Sequence, residues 1–248
     1  MKQLSSFIKV LGTGSSGNCY LIQAEGENLL LECGLNYKEI LKGLNFNING
    51  LLGCLVTHSH KDHCKAYKDL LKSGIDIYTN KGTQEELGIP GARRVNTLEN
   101  ETIKIGGFIV TSFESEHTHN DGSKCPGQCF LIYHKSLGKI VFITDSYYTR
   151  YSFKGVDHIL IEANYSEDIL DTLEEHRARI IKAHMSLETC KKTLTSWDLG
   201  GTKDITLIHL SKTNGDSVRY KEEVEQLTGI KTFIGEKGLI IGKKAVQE

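Results

Sequence analysis

The chain has 248 residues, 39% hydrophobic and 25% charged, the proportions of an ordinary globular protein that can bury a sizeable core. Lys plus Arg number 30 against 31 Asp plus Glu, a formal charge of -1, so no overall positive field gathers a polyanion and long nucleic acid is disfavoured. No stretch approaches the roughly 18 apolar residues that span a bilayer, and MKQLSSFIKV lacks the apolar run of an export signal, so a cytoplasmic protein without membrane contact is expected.

In chain order, FIKVLG, CYLIQAE and NLLLECG read as short strands separated by turn residues. NYKEILKGL then reads as a helix. LGCLVT is an apolar run that ends at His58, and DHCKAYKDLLKSG has helical spacing with a glycine stop. Later strands are predicted at TIKIGGFIVTSF, CFLIYH, KIVFIT, DHILIEA and DITLIHL, and helices at EDILDTLEEHRARIIK and SLETCKKTLTSW. Strands mixed with helices throughout predict a layered α/β protein. With only two prolines, Pro90 and Pro126, and no linker-like segment, residues 1–248 are expected to form one domain.

Seven cysteines, scattered and odd in number, read as reduced thiols, and Cys125 and Cys129 of CPGQC as buried or loop thiols rather than a metal pair. GTGSSGN is glycine-rich, but no lysine follows as a phosphate loop requires, so it reads as a tight turn between strands.

The segment THSHKDHC carries the chemistry. Histidines crowded as closely as His58, His60 and His63 would repel one another if protonated, and a divalent metal would hold them neutral. Residues i and i+2 of extended chain point the same way, so His58 and His60 can reach one ion, while Asp62 and His63 aim at a neighbouring position. His58, Asp145, Glu162 and His209 each fall at or near the C-terminal end of an apolar strand, the edge where open α/β sheets place their sites.

The pattern His58-x-His60-x-Asp62-His63 resembles the signature of the metallo-β-lactamase superfamily. That resemblance implies an αββα sandwich of two mixed sheets with helices on the outside. It also calls for a later histidine, an aspartate and a last histidine: FESEHTHND offers His117 or His119, VFITDS offers Asp145, and TLIHLS offers His209. Carried over to these positions, one ion would be held by His58, His60 and His117, and a second by Asp62, His63 and His209, with Asp145 bridging both. Asp62 also counts among the catalytic residues. His117 is preferred to His119 because it stands four residues beyond Phe113. Relatives often carry Asp-x-Gly near the start, whereas this chain has Glu32, Cys33 and Gly34, a departure expected to alter the support of the metals.

Two ions that generate a hydroxide between them suit phosphodiester hydrolysis. The leaving oxygen still needs a proton, for which His184 beside Glu162 is the candidate acid pair. LGTGSSGNCYLI, ILIEANYSED, IIKAHMSLETC and IHLSKTN resemble the RNase Z and YycJ (WalJ) hydrolases, and Ser211 and Asn214 of the last segment are candidate substrate-binding residues. In SYYTRY, Tyr147 and Tyr148 can stack on a base and Arg150 can meet a phosphate, the alternative being tyrosines packed under a loop.

The expected activity is a phosphodiesterase on a small nucleotide, above all a cyclic one, as in the similar phage anti-Pycsar proteins. A DNA or RNA nuclease is the alternative, and a non-catalytic metal-binding regulator a remoter one. The balanced charge favours the compact substrate, because a nuclease that neutralises many phosphates needs a basic face. The ions are expected to be zinc, although manganese and iron suit the same ligands. A homodimer is expected on the general frequency of dimers.

Overall fold

Apolar residues run nearly continuously along most of the predicted strands, so both faces must be buried, one against a second sheet and the other under helices. The computed structural model describes residues 6–119, 121–169, 180–211 and 215–242. Its first sheet is built from β1 (Phe7–Gly12), β2 (Cys19–Ala24), β3 (Glu27–Leu31), β4 (Leu51–Leu55), β5 (Ile77–Thr79), β6 (Val95–Thr97) and β14 (Ile240–Ile241), in the order β14-β1-β2-β3-β4-β5-β6. The second contains β7 (Thr102–Ile105), β8 (Phe108–Glu114), β9 (Gln128–His134), β10 (Gly138–Ile143), β11 (His158–Glu162), β12 (Asp204–Ile208) and β13 (Thr232–Ile234), in the order β13-β12-β11-β10-β9-β8-β7. Both sheets are mixed: β3 to β6 and β10 to β13 are parallel, and the remaining pairs antiparallel.

Between the sheets lie Ile8, Val10, Tyr20, Ile22, Leu29 and Leu31 from one side and Phe108, Phe130, Ile140, Phe142 and Leu160 from the other. Each fully buried side chain of this size contributes roughly 1.5–3 kcal/mol. The alternate residues face outwards. Leu21, Leu30 and Cys54 pack under α1 (Tyr37–Gly43) and α3 (Tyr67–Lys72). Val141, Ile159, Ile161 and Leu207 pack under the helices Leu187–Thr195 and Ser217–Thr228. The layers are therefore α, β, β and α, as predicted. All seven cysteines are buried and free. Among the described residues no helix is long and apolar enough to cross a membrane.

Several elements differ from the sequence reading. TIKIGGFIVTSF is two antiparallel strands, β7 and β8, because Gly106 takes a left-handed φ of 57° and turns the chain. DHCKAYKDLLKSG is two helices, α2 (Lys61–Cys64) and α3. The Asp62 carbonyl, which would accept from Ala66 in a continuous helix, accepts instead from the Asn18 backbone N–H at 2.7 Å, and Ala66 N–H donates to the Cys33 carbonyl at 2.9 Å. β5, β6, β13, β14, α4 (Lys81–Leu87) and the helix Ser217–Thr228 are additional to the predicted elements. Of EDILDTLEEHRARIIK, residues 170–179 lie outside the described residues.

GTGSSGN is the expected turn, and it also seats the histidine segment. Asn18 bonds Asp62 through its backbone and accepts from Gly34 N–H at 2.9 Å, while Cys33 N–H donates to the His63 carbonyl at 2.8 Å. Gly34 is compulsory, because a Cβ there would stand 1.7 Å from the Asp62 carbonyl oxygen. Gly34→Ala should therefore destabilise the metal-free protein by about 1–3 kcal/mol, the usual cost of overpacking. Chemical denaturation reads this directly, and unchanged stability would contradict the close approach.

Candidate metal centre

The parallel strands of both sheets deliver their C-terminal ends to one edge. There β4 runs into Thr57 and His58, β8 leads to His117, β10 to Asp145, β11 ends on Glu162 and β12 leads to His209. Glu32 and His209 directly follow β3 and β12, and Asp145 stands two residues past β10, each with a left-handed φ, at 63°, 54° and 47°. Such a conformation costs a non-glycine residue of order 1–3 kcal/mol and is over-represented at functional sites. Here it breaks the strand alternation at residues whose side chains meet in the site.

Two groups of ligand atoms result. In the first, His58, His60 and His117 stand together, with His60 Nδ1 3.2 Å from His117 Nε2. In the second, Asp62 Oδ2 lies 3.4 Å from His63 Nε2 and 3.5 Å from His209 Nε2. Asp145 stands between them, its Oδ2 2.9 Å from His63 Nε2, and it forms a further group with His58 and His63. Tetrahedral zinc with bonds near 2.0–2.1 Å separates its ligands by roughly 3.3 Å, the spacing of these atoms.

The far sides of the rings are held by protein. His58 Nδ1 meets Thr57 Oγ1 at 2.8 Å and His117 Nδ1 meets the Ala183 carbonyl at 2.7 Å. His209 Nδ1 lies 2.9 Å from Glu162 Oε1. His63 Nδ1 faces Glu32 at 3.6 Å, so the glutamate that departs from the usual aspartate stands behind a candidate ligand. With Nδ1 of His58 and His117 hydrogen-bonded outwards, Nε2 of each is left facing the site.

The charge balance also calls for cations. Burial raises the carboxyls of Asp145 and Glu162, yet neighbouring histidines outweigh it and hold both below the usual range. Asp62 is lowered as well, against its own partial burial, by His209 and His63. In the metal-free protein the compensating charge is protons. Burial opposes protonation of His63 and His209, but Asp145 and the other carboxylates win, raising His63 strongly and pushing His209 up to about 10. At His58 burial and neighbouring histidines outweigh the pull of Asp145 and lower the ring, and at His117 burial outweighs it and brings the ring down to about 4. His58 Nε2 and His209 Nε2 are buried without a hydrogen-bond partner. The residues present fit a divalent metal ion.

His184 adjoins this group. Its Nδ1 is 2.8 Å from Glu162 Oε1 and 3.2 Å from Asp145 Oδ1, and its ring stacks on His209 at 5.2 Å. Glu162 is fully buried, with its other oxygen accepting from the backbone N–H groups of Ser146 and Met185, each at 3.2 Å. His119 lies behind His60, its Nδ1 3.0 Å from His60 Nε2. Arg150 is engaged by Glu114 and Glu116. Tyr147 and Tyr148 are exposed, Tyr151 packs on Phe113, and Ser211 N–H donates to the Asn164 carbonyl at 2.8 Å. Asn214 lies outside the described residues.

A family profile described as anti-Pycsar protein Apyc1 matches residues 7–73. Exodeoxyribonuclease YycJ of Bacillus anthracis is 28% identical over 246 residues, 92% of this chain and 91% of its own length. Anti-Pycsar protein Apyc1 of Paenibacillus xerothermodurans is 36% identical over 109 residues, 42% of each chain. Among solved structures, the metallo-beta-lactamase fold protein YhfI from Bacillus subtilis has a TM-score of 0.74 at 18% identity, covering 95% of this chain and 98% of that one. This chain has the metallo-β-lactamase fold.

Within that metallo-β-lactamase fold, several polar residues beside the candidate ligands escape sequence reasoning. Asn18 Nδ2 lies 3.2 Å from His63 Nε2, Asn164 Nδ2 donates to the His209 carbonyl at 2.7 Å, and Thr13 Oγ1 accepts from His209 N–H at 3.0 Å. All sit in segments that the motifs already mark, but which residue turns inwards depends on contacts from distant chain.

Because neighbouring carboxylates favour the protonated forms of His63 and His209 in the metal-free protein, a cation bound there must displace protons. At pH 7, metal uptake should release about two protons, and the apparent affinity should rise with pH. Calorimetry in buffers of different ionisation enthalpy counts them; uptake without proton release would contradict the assignment.

Proposed function

We propose that this protein is a metal-dependent phosphodiesterase acting on a small nucleotide phosphodiester, a cyclic nucleotide foremost, with His184 as general acid. One ion would be held by His58, His60 and His117, a second by Asp62, His63 and His209, and both by Asp145. Two ions so held, zinc by the nitrogen-rich ligands, supply Lewis acidity and lower the pKa of water, which is what phosphodiester hydrolysis needs.

The observation that carries this reading is the sharing of Glu162. One carboxylate oxygen meets both His184 Nδ1, at 2.8 Å, and His209 Nδ1, at 2.9 Å. A purely structural metal site has no use for the first contact. In the reaction, water oxygen loses a proton to solvent and bonds to phosphorus as the ester P–O bond breaks, and the departing oxygen takes a proton from His184 Nε2, which solvent then restores. Glu162 fixes a proton on Nδ1, so that Nε2 is the nitrogen that serves the departing oxygen.

Two observations favour a compact substrate. Arg150, in the same segment as the exposed Tyr147 and Tyr148, already meets Glu114 and Glu116, so it adds little positive field for a long polyanion. The anti-Pycsar profile covers the turn and histidine segments on which the site is built. A second reading, an exonuclease on DNA, is favoured by the relation to the YycJ exodeoxyribonuclease along 92% of this chain.

One experiment separates these readings. Metal-loaded wild type and His184→Ala are assayed on cyclic mononucleotides and on single-stranded oligonucleotides, with metal content measured in parallel. Faster cleavage of the cyclic substrate by wild type, and a roughly 10²–10⁴-fold fall in kcat for the variant at unchanged metal content, are expected. Faster oligonucleotide cleavage at low salt would transfer the function to the nuclease. An unaltered kcat in the variant would remove His184 from the chemistry.

A further inference from the structure

The ring nitrogens of His60 are the most elaborately supported in the site. His60 Nδ1 faces His117 Nε2 within the first ligand group, so Nδ1 must present its lone pair and Nε2 must carry the hydrogen. That Nε2–H points at His119 Nδ1, 3.0 Å away. His119 Nδ1 is then the acceptor, and its own hydrogen sits on Nε2, 2.9 Å from Glu86 Oε1. The second oxygen of Glu86 accepts from the hydroxyl of Ser59, the residue before His60. One carboxylate thus grips His60 twice, through its chain neighbour and through an intervening imidazole.

The carboxylate is itself firmly placed. α4, which carries Glu86, is capped by Asn80 Oδ1 accepting from Thr83 N–H at 2.7 Å. Asn80 Nδ2 and Thr83 Oγ1 both donate to the Pro126 carbonyl, at 2.6 and 3.1 Å, and Gly82 allows the helix to approach that proline closely. Tyr67 Oη donates to the Leu87 carbonyl at 3.1 Å, tying α4 to α3. His119 is anchored by its N–H to the Ser123 carbonyl at 2.8 Å.

From this geometry we infer that Glu86 and His119 form a carboxylate–imidazole relay that positions His60 as a metal ligand, in the tautomer and orientation that the first ion requires. His58 and His117 are oriented by neutral oxygens of Thr57 and Ala183, whereas His60, on a short loop and partly exposed, needs the longer reach of α4. The charged end of the relay raises the electron density that His60 Nδ1 offers, and outer partners of this kind are worth about 10–100-fold in metal affinity or activity. His119 and Glu86 are therefore positioning residues. The inference rests on the metal site proposed above.

The test is zinc affinity, read by competition with a chromophoric chelator on the full chain, with circular dichroism of the metal-free proteins as a check on folding. His119→Ala should weaken one of the two ions by about 10–100-fold and leave the other near wild type. His119→Asn keeps an acceptor for the His60 hydrogen and should recover most of the loss. Glu86→Gln keeps an oxygen acceptor without its charge and should fall between. A folded His119→Ala that binds every ion as tightly as wild type overturns the inference alone, as does an asparagine variant no better than alanine. Wild type that takes up no zinc removes the metal site itself and the relay with it.

Discussion

The structure turns on placing carboxylates where water cannot reach them. Asp145 and Glu162 are buried at the ends of β10 and β11, and an uncompensated charge in such a place costs several kcal/mol. Histidines must therefore gather around them, and something positive must sit among the histidines. Without metal, protons on His63 and His209 fill that role. A divalent ion would fill it better, since it would also engage the nitrogens of His58 and His117, whose protonation burial disfavours. The same constraint explains why Glu162 touches two rings: a fully buried carboxylate needs each of its partners.

Backbone strain and core packing are coupled to this electrostatic arrangement. The left-handed turns at Glu32, Asp145 and His209 are each unfavourable alone. They persist because the strands that lead into them are locked between the sheets by residues such as Leu31, Phe142 and Ile208. The glycine turn before β2 and Gly34 after β3 complete the frame, letting the histidine segment lie against the first sheet. A rigid inter-sheet core is thus what allows a set of mutually demanding side chains to stay together.

Much of this arrangement was legible in the sequence because it follows from local patterns. Short apolar runs mark the strands, and a polar residue at or just after the end of a run marks the shared edge, so His58, Asp145, Glu162 and His209 are found by position as well as by type. The structure brings His117 together with His58 and His60, and sets His119 beside His60 and Cys125. What the sequence conceals depends on long-range contact. The break between α2 and α3 comes from Asn18 and Cys33 competing for backbone groups of the helix. Glu86 lies 33 residues from His119, on a helix that no motif flags. Asn214 and most of the helix expected over residues 167–182 fall outside the described residues.

In the proposed site, carboxylates and histidines from both sheets hold a pair of cations side by side. Electron paramagnetic resonance of the protein loaded with manganese tests it most directly, because two such ions sharing a carboxylate are magnetically coupled. The account requires two manganese ions per chain with a spin-coupled spectrum that Asp145→Ala abolishes. A single ion, or two uncoupled ions that survive the loss of Asp145, would contradict it.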